Sequence, residues 1–123
     1  MIQRVEKPWG HEIIWARTET YVGKLLSIRR GHKLSLQYHE QKEESIYLMS
    51  GEMSFTVEEG GQLVVRRMRV GDSYHIRPRV QHRMEAVEDC LVLEVSTPQL
   101  DDVVRLEDAY GRAGTAPSSS GEP

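Results

Sequence analysis

Residues 31–51 read Gly31-His-Lys-Leu-Ser-Leu-Gln37-Tyr-His39-Glu-Gln-Lys-Glu-Glu44-Ser-Ile-Tyr-Leu-Met-Ser-Gly51, with a glycine at each end and several polar side chains between. Gln37 and His39 are two residues apart, so on a β-strand both side chains leave from the same face. Glu44 follows a short polar turn and begins a second apolar segment, so an adjacent antiparallel strand can bring its carboxylate beside His39. The stretch therefore predicts two neighbouring strands that carry three potential metal ligands.

His82 is a fourth potential ligand, from a distant part of the chain. It follows the turn-rich run Gly71-Asp-Ser-Tyr-His-Ile-Arg-Pro78 and begins another strand-like segment. With Gln37, His39 and Glu44 it gives one amide oxygen, two imidazoles and one carboxylate, and it leaves room for water or substrate, as catalytic metal sites do. We therefore predict that these four residues form a divalent metal site.

Simpler interpretations of the same residues stay open. A single histidine in a strand is more often a core or surface residue than a metal ligand. Glu44 follows Glu40 and Glu43 in a charged turn, and such turns are usually solvated. The joint spacing between two glycines is more specific than any one residue, and it favours the metal site.

Short strand-like segments separated by turn signals cover most of the chain, which is the pattern of an all-β protein. The segments are residues 12–16, 22–28, 34–39, 45–49, 53–57, 63–67, 73–76, 82–87 and 91–95. The clearest hairpin turn is Glu58-Glu-Gly-Gly61-Gln, where two glycines can supply the positive φ angles that a tight loop needs.

The C-terminal part of the chain combines a predicted helix with a predicted tail. The short helix begins at Thr97-Pro98 or Asp101-Asp102, carries apolar residues at helical spacing from Val103 to Leu106, and ends at Gly111. Residues 113–123 contain no apolar anchor, so we expect a disordered tail there. A single domain would then cover residues 1–112.

The stretch from Gly31 to Gly51 resembles the first motif of the cupin superfamily, which is glycine, five residues, His-x-His, three or four residues, glutamate, six residues and glycine. Gln37 stands where the motif has its first histidine. Residues Gly71 to His82 resemble the second motif more loosely, because the glycine-to-histidine distance is kept but the proline falls one place late. The resemblance implies a jelly-roll β-barrel with a metal ion in its mouth, above an apolar floor.

Three further signatures narrow the resemblance. They are Lys7-Pro-Trp-Gly10, Leu34-Ser-Leu-Gln37 and Val104-Arg-Leu-Glu-Asp-Ala-Tyr-Gly-Arg112, and they are similar to the mannose-6-phosphate isomerase domain of type II bifunctional enzymes. In that family the isomerase cupin usually follows a nucleotidyltransferase domain, which 123 residues cannot hold, so the chain resembles the cupin alone. The resemblance implies a metal-dependent isomerase that interconverts an aldose and a ketose, with a sugar phosphate as substrate.

Lys42 is the candidate catalytic residue that this resemblance implies. It aligns with an arginine to which the family assigns a catalytic role, and it keeps the positive charge without the bidentate guanidinium. The ligand set suits a redox-inert ion, so zinc is expected first, with manganese, cobalt, nickel and iron as alternatives. The general base stays open among Glu43, His75 and a metal-bound hydroxide.

Two other functions fit the same residues. A cupin dioxygenase would hold iron or another transition metal beside an organic substrate, although the neutral Gln37 is less typical of such sites; oxygen consumption would identify it. A non-catalytic cupin that binds metal or sugar would explain why the family arginine is replaced, and it would bind a sugar tightly without converting it.

Composition and charge argue against several other classes of function. The net charge of -3 gives no overall attraction to nucleic acid, although Arg77, Arg79 and Arg83 surround His82 and could hold a phosphate or carboxylate of a substrate. No apolar run approaches the roughly 20 residues that span a bilayer, and the N-terminus lacks the apolar core of a signal peptide. We expect a cytoplasmic protein whose partner is a small molecule, with no role for nucleic acid or membrane.

Strand alternation predicts which other side chains surround the site. The side chains expected to face inward beside the ligands are those of Ser35, Ile46, Leu48 and Met84. The side chains expected to face outward are those of Tyr47, Met49 and Phe55, or those of their neighbours. An outer face of this kind leaves apolar area that a second subunit would cover, so we predict a homodimer.

Overall fold

Twelve β-strands form the protein in the computed structural model, which describes residues 2–115. In chain order they are β1 (Gln3–Lys7), β2 (Gly10–Arg17), β3 (Val22–Ile28), β4 (Leu36–Tyr38), β5 (Glu44–Ser50), β6 (Glu52–Glu59), β7 (Gln62–Arg69), β8 (Ser73–Ile76), β9 (His82–Ala86), β10 (Cys90–Ser96), β11 (Val104–Glu107) and β12 (Gly114–Thr115). The first sheet has the order β1-β2-β3-β10-β5-β8 and the second the order β12-β11-β4-β9-β6-β7. These two antiparallel sheets confirm the predicted all-β jelly-roll fold.

The core lies between the two sheets and takes one face of each. Met53, Phe55 and Val57 of β6 are fully buried, and the residues between them are partly exposed. Ile46 and Leu48 of β5, in the other sheet, belong to the same apolar cluster and are also fully buried. Each such side chain contributes roughly 1.5–3 kcal/mol through burial, so the facing sheets are held together mainly by this cluster.

The expected outward position of Phe55 is wrong. Phe55 lies two residues from both Met53 and Val57, so the three side chains share the face of β6 that packs into the core. Its ring meets the ring of Tyr74 edge-on, with 5.1 Å between the centroids. The rest of the predicted alternation is confirmed by two groups of residues. Those that face inward are Ser35, Ile46, Leu48 and Met84, and those that are exposed are Tyr47 and Met49.

The predicted C-terminal helix is also wrong, because residues 104–107 form strand β11 instead. Val103 and Arg105 are buried whereas Leu106 is exposed, which is the period of two of a strand. A short segment with adjacent β-branched residues has little helical preference of its own, and strand β4 provides it with a pairing partner. No helix among residues 2–115 is long and apolar enough to cross a membrane.

The predicted tail is only partly described. Within residues 113–115, Gly114–Thr115 form the short strand β12 against β11. Residues 116–123 lie outside the described residues. The domain boundary at residue 112 stays a prediction.

Candidate metal centre

Three of the four predicted ligands meet between the sheets. His39 directly follows β4, Glu44 begins β5 and His82 begins β9. One ligand atom of each lies within 4.8 Å of those of the other two, and the three residues are only 4%, 3% and 1% exposed. The structure thus gathers side chains from both sheets into one buried group.

Backbone carbonyls fix the orientation of both imidazoles. Nδ1 of His39 lies 2.5 Å from the carbonyl oxygen of Asp102, and Nδ1 of His82 lies 2.9 Å from that of Val80. Because a carbonyl oxygen can only accept, each Nδ1 carries a proton, and in the neutral ring the lone pair is therefore on Nε2. Both Nε2 atoms point at the same oxygen, Oε2 of Glu44, at 2.8 and 3.3 Å.

This arrangement fits a divalent cation. Two imidazole lone pairs and one carboxylate converge on one small space, where they repel one another unless a positive charge lies between them. Imidazole nitrogen and carboxylate oxygen are ligands of zinc, manganese and related ions, and a histidine ligand usually donates its other N–H to a carbonyl or a carboxylate. His39, Glu44 and His82 have these features.

Gln37 lies next to His82 in the second sheet. It is the cross-strand partner of His82 in the pairing of β4 with β9, and it lines the same cavity. Its role as a fourth, neutral ligand stays a prediction.

Lys42 is buried next to the candidate ligands. It is 6% exposed, and its Nζ lies 3.2 Å from Oε2 of Glu94 and 3.9 Å from Oε1 of Glu44. Burial opposes its charge, but the two carboxylates outweigh this effect and raise the pKa of Lys42 above its ordinary value. Burial likewise opposes the charge of Glu44, yet the neighbouring Lys42 ammonium holds the pKa of Glu44 well below its usual range.

These groups line a cavity of about 80 Å³ between the sheets. Its lining includes five cationic side chains and three carboxylates besides the two histidines. The charged residues are Lys7, Glu12, Lys24, Lys42, Glu44, Glu94, Arg105 and Arg112. Such a polar interior suits a hydrophilic small molecule better than an apolar one.

A protein-family model described as a cupin domain matches residues 24–96, more than half of the 123 residues. The chain belongs to the cupin family. The matched segment contains the four predicted ligands and Lys42.

Known relatives of this cupin include enzymes named for sugar phosphates. Mannose-1-phosphate guanylyltransferase ManC of Salmonella typhimurium is 29% identical over 117 residues, which are 91% of this chain but only 24% of the relative's length. KdgF from Halomonas sp. is 27% identical, with a TM-score of 0.66 over 80% of this chain and 88% of KdgF. Oxalate decarboxylase of Bacillus subtilis, a protein with Mn(II) centres, is 22% identical with a TM-score of 0.72 over 85% of this chain and 30% of its own, a likeness that shows the fold.

Glu94 is a buried carboxylate of this cupin that the sequence analysis missed. Strand β10 alternates, with Val92, Glu94 and Ser96 buried on one face. The sequence signal that could have identified Glu94 is this alternation, because it places a charged residue at an inward position of an apolar strand. Burial and the nearby Glu44 raise the pKa of Glu94, so this carboxyl group is able to hold a proton beside the candidate ligands.

The side chains proposed as general base are not in the cavity. Glu43 and His75 form a hydrogen-bonded pair on the surface, where each side chain is 47% exposed. They border a shallow surface hollow instead. Neither side chain therefore lines the cavity around the candidate ligands, although Glu44 borders both the cavity and the hollow.

The arginines around His82 also lie outside the cavity lining. The side chain of Arg79 is 78% exposed and pairs with Glu40 at 3.5 Å, and Arg83 donates to the carbonyl oxygen of Leu34 at 2.9 Å. Arg77 is exposed. Arginines from a different part of the chain, Arg105 and Arg112, face the cavity instead.

Asp102 fixes the loop that carries Lys42. Its carboxylate accepts hydrogen bonds from the backbone N–H groups of Glu40, Gln41 and Lys42 at 2.9, 2.6 and 2.9 Å. Burial would raise the pKa of Asp102, but these hydrogen bonds outweigh it and lower the pKa. The same residue orients His39 through its carbonyl oxygen, so Asp102 positions two parts of the site at once.

Proposed function

We propose that this cupin is a metal-dependent sugar-phosphate isomerase of the mannose-6-phosphate isomerase type. The observation that carries the proposal is the buried group of His39, Glu44 and His82 with the Lys42 ammonium beside it. The relatives named for mannose 1-phosphate support a phosphorylated sugar as substrate, although the chain spans 24% of their length. The proposed metal is a redox-inert divalent ion, with zinc as the first choice.

A divalent ion held by His39, Glu44 and His82, with Gln37 as the proposed fourth ligand, would supply Lewis acidity for the proton transfer between carbons 1 and 2 of the sugar. The Lys42 ammonium stabilises the negative charge that the oxygens on these carbons gain when carbon 2 loses its proton. Glu94 is our candidate for the group that takes this proton and returns it to carbon 1. The hydroxyl proton moves from the oxygen on carbon 2 to that on carbon 1, so the aldose becomes a ketose with no atom gained or lost.

The test is a coupled assay that follows mannose 6-phosphate to fructose 6-phosphate with protein loaded separately with zinc, cobalt and manganese. We expect metal-dependent turnover that falls to background in the double variant His39→Ala, Glu44→Ala. The exposed His75 provides a matched control, since His75→Ala should keep both metal stoichiometry and turnover. Lys42→Met should bind metal and lose turnover.

Stoichiometric metal binding without turnover would contradict the isomerase assignment and leave the metal centre in place. In that case, metal-dependent oxygen uptake would indicate a dioxygenase. Tight binding of a sugar without conversion would indicate a binding module. Turnover that survives in the double variant would contradict the assigned ligands.

A further inference from the structure

Three cationic side chains from opposite ends of the chain line the same cavity: Lys7, Arg105 and Arg112. Lys7 ends β1, Arg105 lies in β11, and Arg112 follows the turn after β11. We call these three residues the cationic trio. Each is close enough to the others for its charge to affect them, so the fold concentrates positive charge here.

Arg105 is a buried member of the trio whose charge is not paired within the described residues. It is 9% exposed, and its guanidinium makes no hydrogen bond or ion pair with any of residues 2–115. Burial and the neighbouring charge of Arg112 lower its pKa. Because a buried charge without a partner is costly, buried arginines are normally paired with an anion.

The carboxylates of the cavity are already engaged elsewhere. Lys24 lies 3.2 Å from Glu12, and Lys42 lies between Glu44 and Glu94. The carboxylate beside the trio, Asp108, lies 3.0 Å from Arg112, and its side chain is fully buried.

Lys7 is the third cation of the trio, and it is close to both arginines. Burial lowers the pKa of Lys7 to about 8, with further lowering by the charges of Lys24, Arg105 and Arg112 and an opposing effect of Glu12. The trio therefore places three cationic side chains in the lining of one cavity.

Strand pairing fixes the position of Arg105 relative to the metal centre. Arg105 is the cross-strand partner of Gln37, and Gln37 is the partner of His82. The three residues form one row across β11, β4 and β9, so the Cα atoms of Arg105 and His82 are two strand spacings, or about 10 Å, apart. This separation is comparable with the length of an open-chain hexose phosphate.

We propose that Lys7, Arg105 and Arg112 form an anion subsite that receives the phosphate group of the sugar substrate while the other end of the sugar lies at the metal centre. The inference rests on the proposed function for the identity of the substrate. A guanidinium presents paired donors to phosphate oxygens, and two further cations suit a dianionic monoester.

Isothermal titration with inorganic phosphate and with fructose 6-phosphate, each on the metal-loaded protein, tests the subsite. We expect Arg105→Gln and Lys7→Met each to weaken the binding of both ligands at least ~10-fold, because each removes one strong charge-assisted contact. The exposed Arg77 is the matched control, since Arg77→Gln removes the same charge outside the cavity. Circular dichroism on each variant verifies that it is folded, and Lys7→Met tests the subsite if Arg105→Gln does not fold.

Other outcomes would overturn the subsite. Unchanged phosphate binding in both variants would do so, and so would an equal loss in Arg77→Gln, which would indicate a general charge effect. Competition by a sugar carboxylate as strong as that by the phosphate ester would overturn the assignment to phosphate. Inorganic phosphate binding without isomerase turnover would leave the subsite in place and reject only the proposed function, whereas turnover unaffected in both variants would reject the subsite alone.

Discussion

The carboxylate of Asp102 makes three backbone hydrogen bonds that shape the loop between β4 and β5. We expect Asp102→Ala to lower the free energy of unfolding by about 2 kcal/mol, since hydrogen bonds to charged groups contribute roughly 1.5–3 kcal/mol. It should also weaken metal binding, because the loop leads directly to Glu44. Urea denaturation and a metal titration at pH 7 measure the two effects.

Asp101→Ala is the control for this variant, because Asp101 is the exposed neighbour of Asp102 and its side chain makes no hydrogen bond within residues 2–115. It should leave both measurements within ~0.5 kcal/mol of the wild type. A similar loss in the two variants would show that the carboxylate of Asp102 has no special role.

Single residues of the site were predicted from the sequence where they are close together in the chain, and they were missed where strand pairing brings them in. The short spacing of His39 and Glu44 predicted that they meet, and the motif distance added His82. The expected reason was wrong, because β4 and β5 lie in different sheets and the two side chains meet between the sheets instead of on paired strands. Glu94 and Arg105 reach the cavity only because β10 pairs with β5 and β11 pairs with β4. The alternation of β10 indicates that Glu94 faces inward, but the local sequence does not show which strands pair, so it does not place Glu94 or Arg105 at this cavity.

Among the secondary-structure elements, the sequence correctly predicts the hairpin turn whose glycines require positive φ angles. Gly60 and Gly61 have φ angles of 59° and 79° and join β6 to β7, as the glycine pair predicts. The segment of Val103 to Leu106 fits a helix and a strand about equally by its apolar spacing. Pairing with β4 decides the outcome, and this contact is not visible in the local pattern.

The turn after β11 is held by Asp108. Its carboxylate accepts from the backbone N–H groups of Tyr110 and Arg112, at 3.2 and 2.6 Å, and from the Arg112 guanidinium. Burial opposes the charge of Asp108, but these bonds outweigh it and lower its pKa from the ordinary 3.8. The stabilisation from its ionisation is therefore complete above the ordinary pKa and disappears as pH falls through the lower pKa of the folded state.

Asp108→Asn should thus lower the free energy of unfolding at pH 7 by about 1–3 kcal/mol. The difference from the wild type should shrink below about pH 4, where the unfolded carboxyl group begins to be protonated. Urea denaturation of both proteins between pH 7 and pH 3 measures this. A difference that stays constant over the whole range would contradict a role for the charge.

The whole molecule has an apolar outer face on its first sheet. Ile13, Leu25, Leu93 and Tyr47 are successive cross-strand partners on β2, β3, β10 and β5, and Tyr47 is 42% exposed. A continuous row of this kind on an outer face is typical of an interface. We predict a homodimer that buries this face.

Light scattering coupled to size-exclusion chromatography tests the predicted dimer. Tyr47→Lys should give a monomer, because it places a charge at the end of this apolar row, which an apolar interface would have to desolvate. Val65→Lys on β7, where Val65 is 69% exposed in the other sheet, should leave the dimer intact. A monomeric wild type would reject the prediction.

The segment shared across the cupin family, residues 24–96, holds the candidate metal ligands, whereas Lys7, Arg105 and Arg112 lie in the flanks on either side of it. In a chain built in this way, metal binding by the middle segment and anion binding by the flanks can change independently of each other. Exchanging the flanks would change which charged group is recognised, and the chemistry of the middle segment would be preserved. To change the substrate, the flanks on either side of residues 24–96 should therefore be replaced first, before any residue inside the barrel is altered.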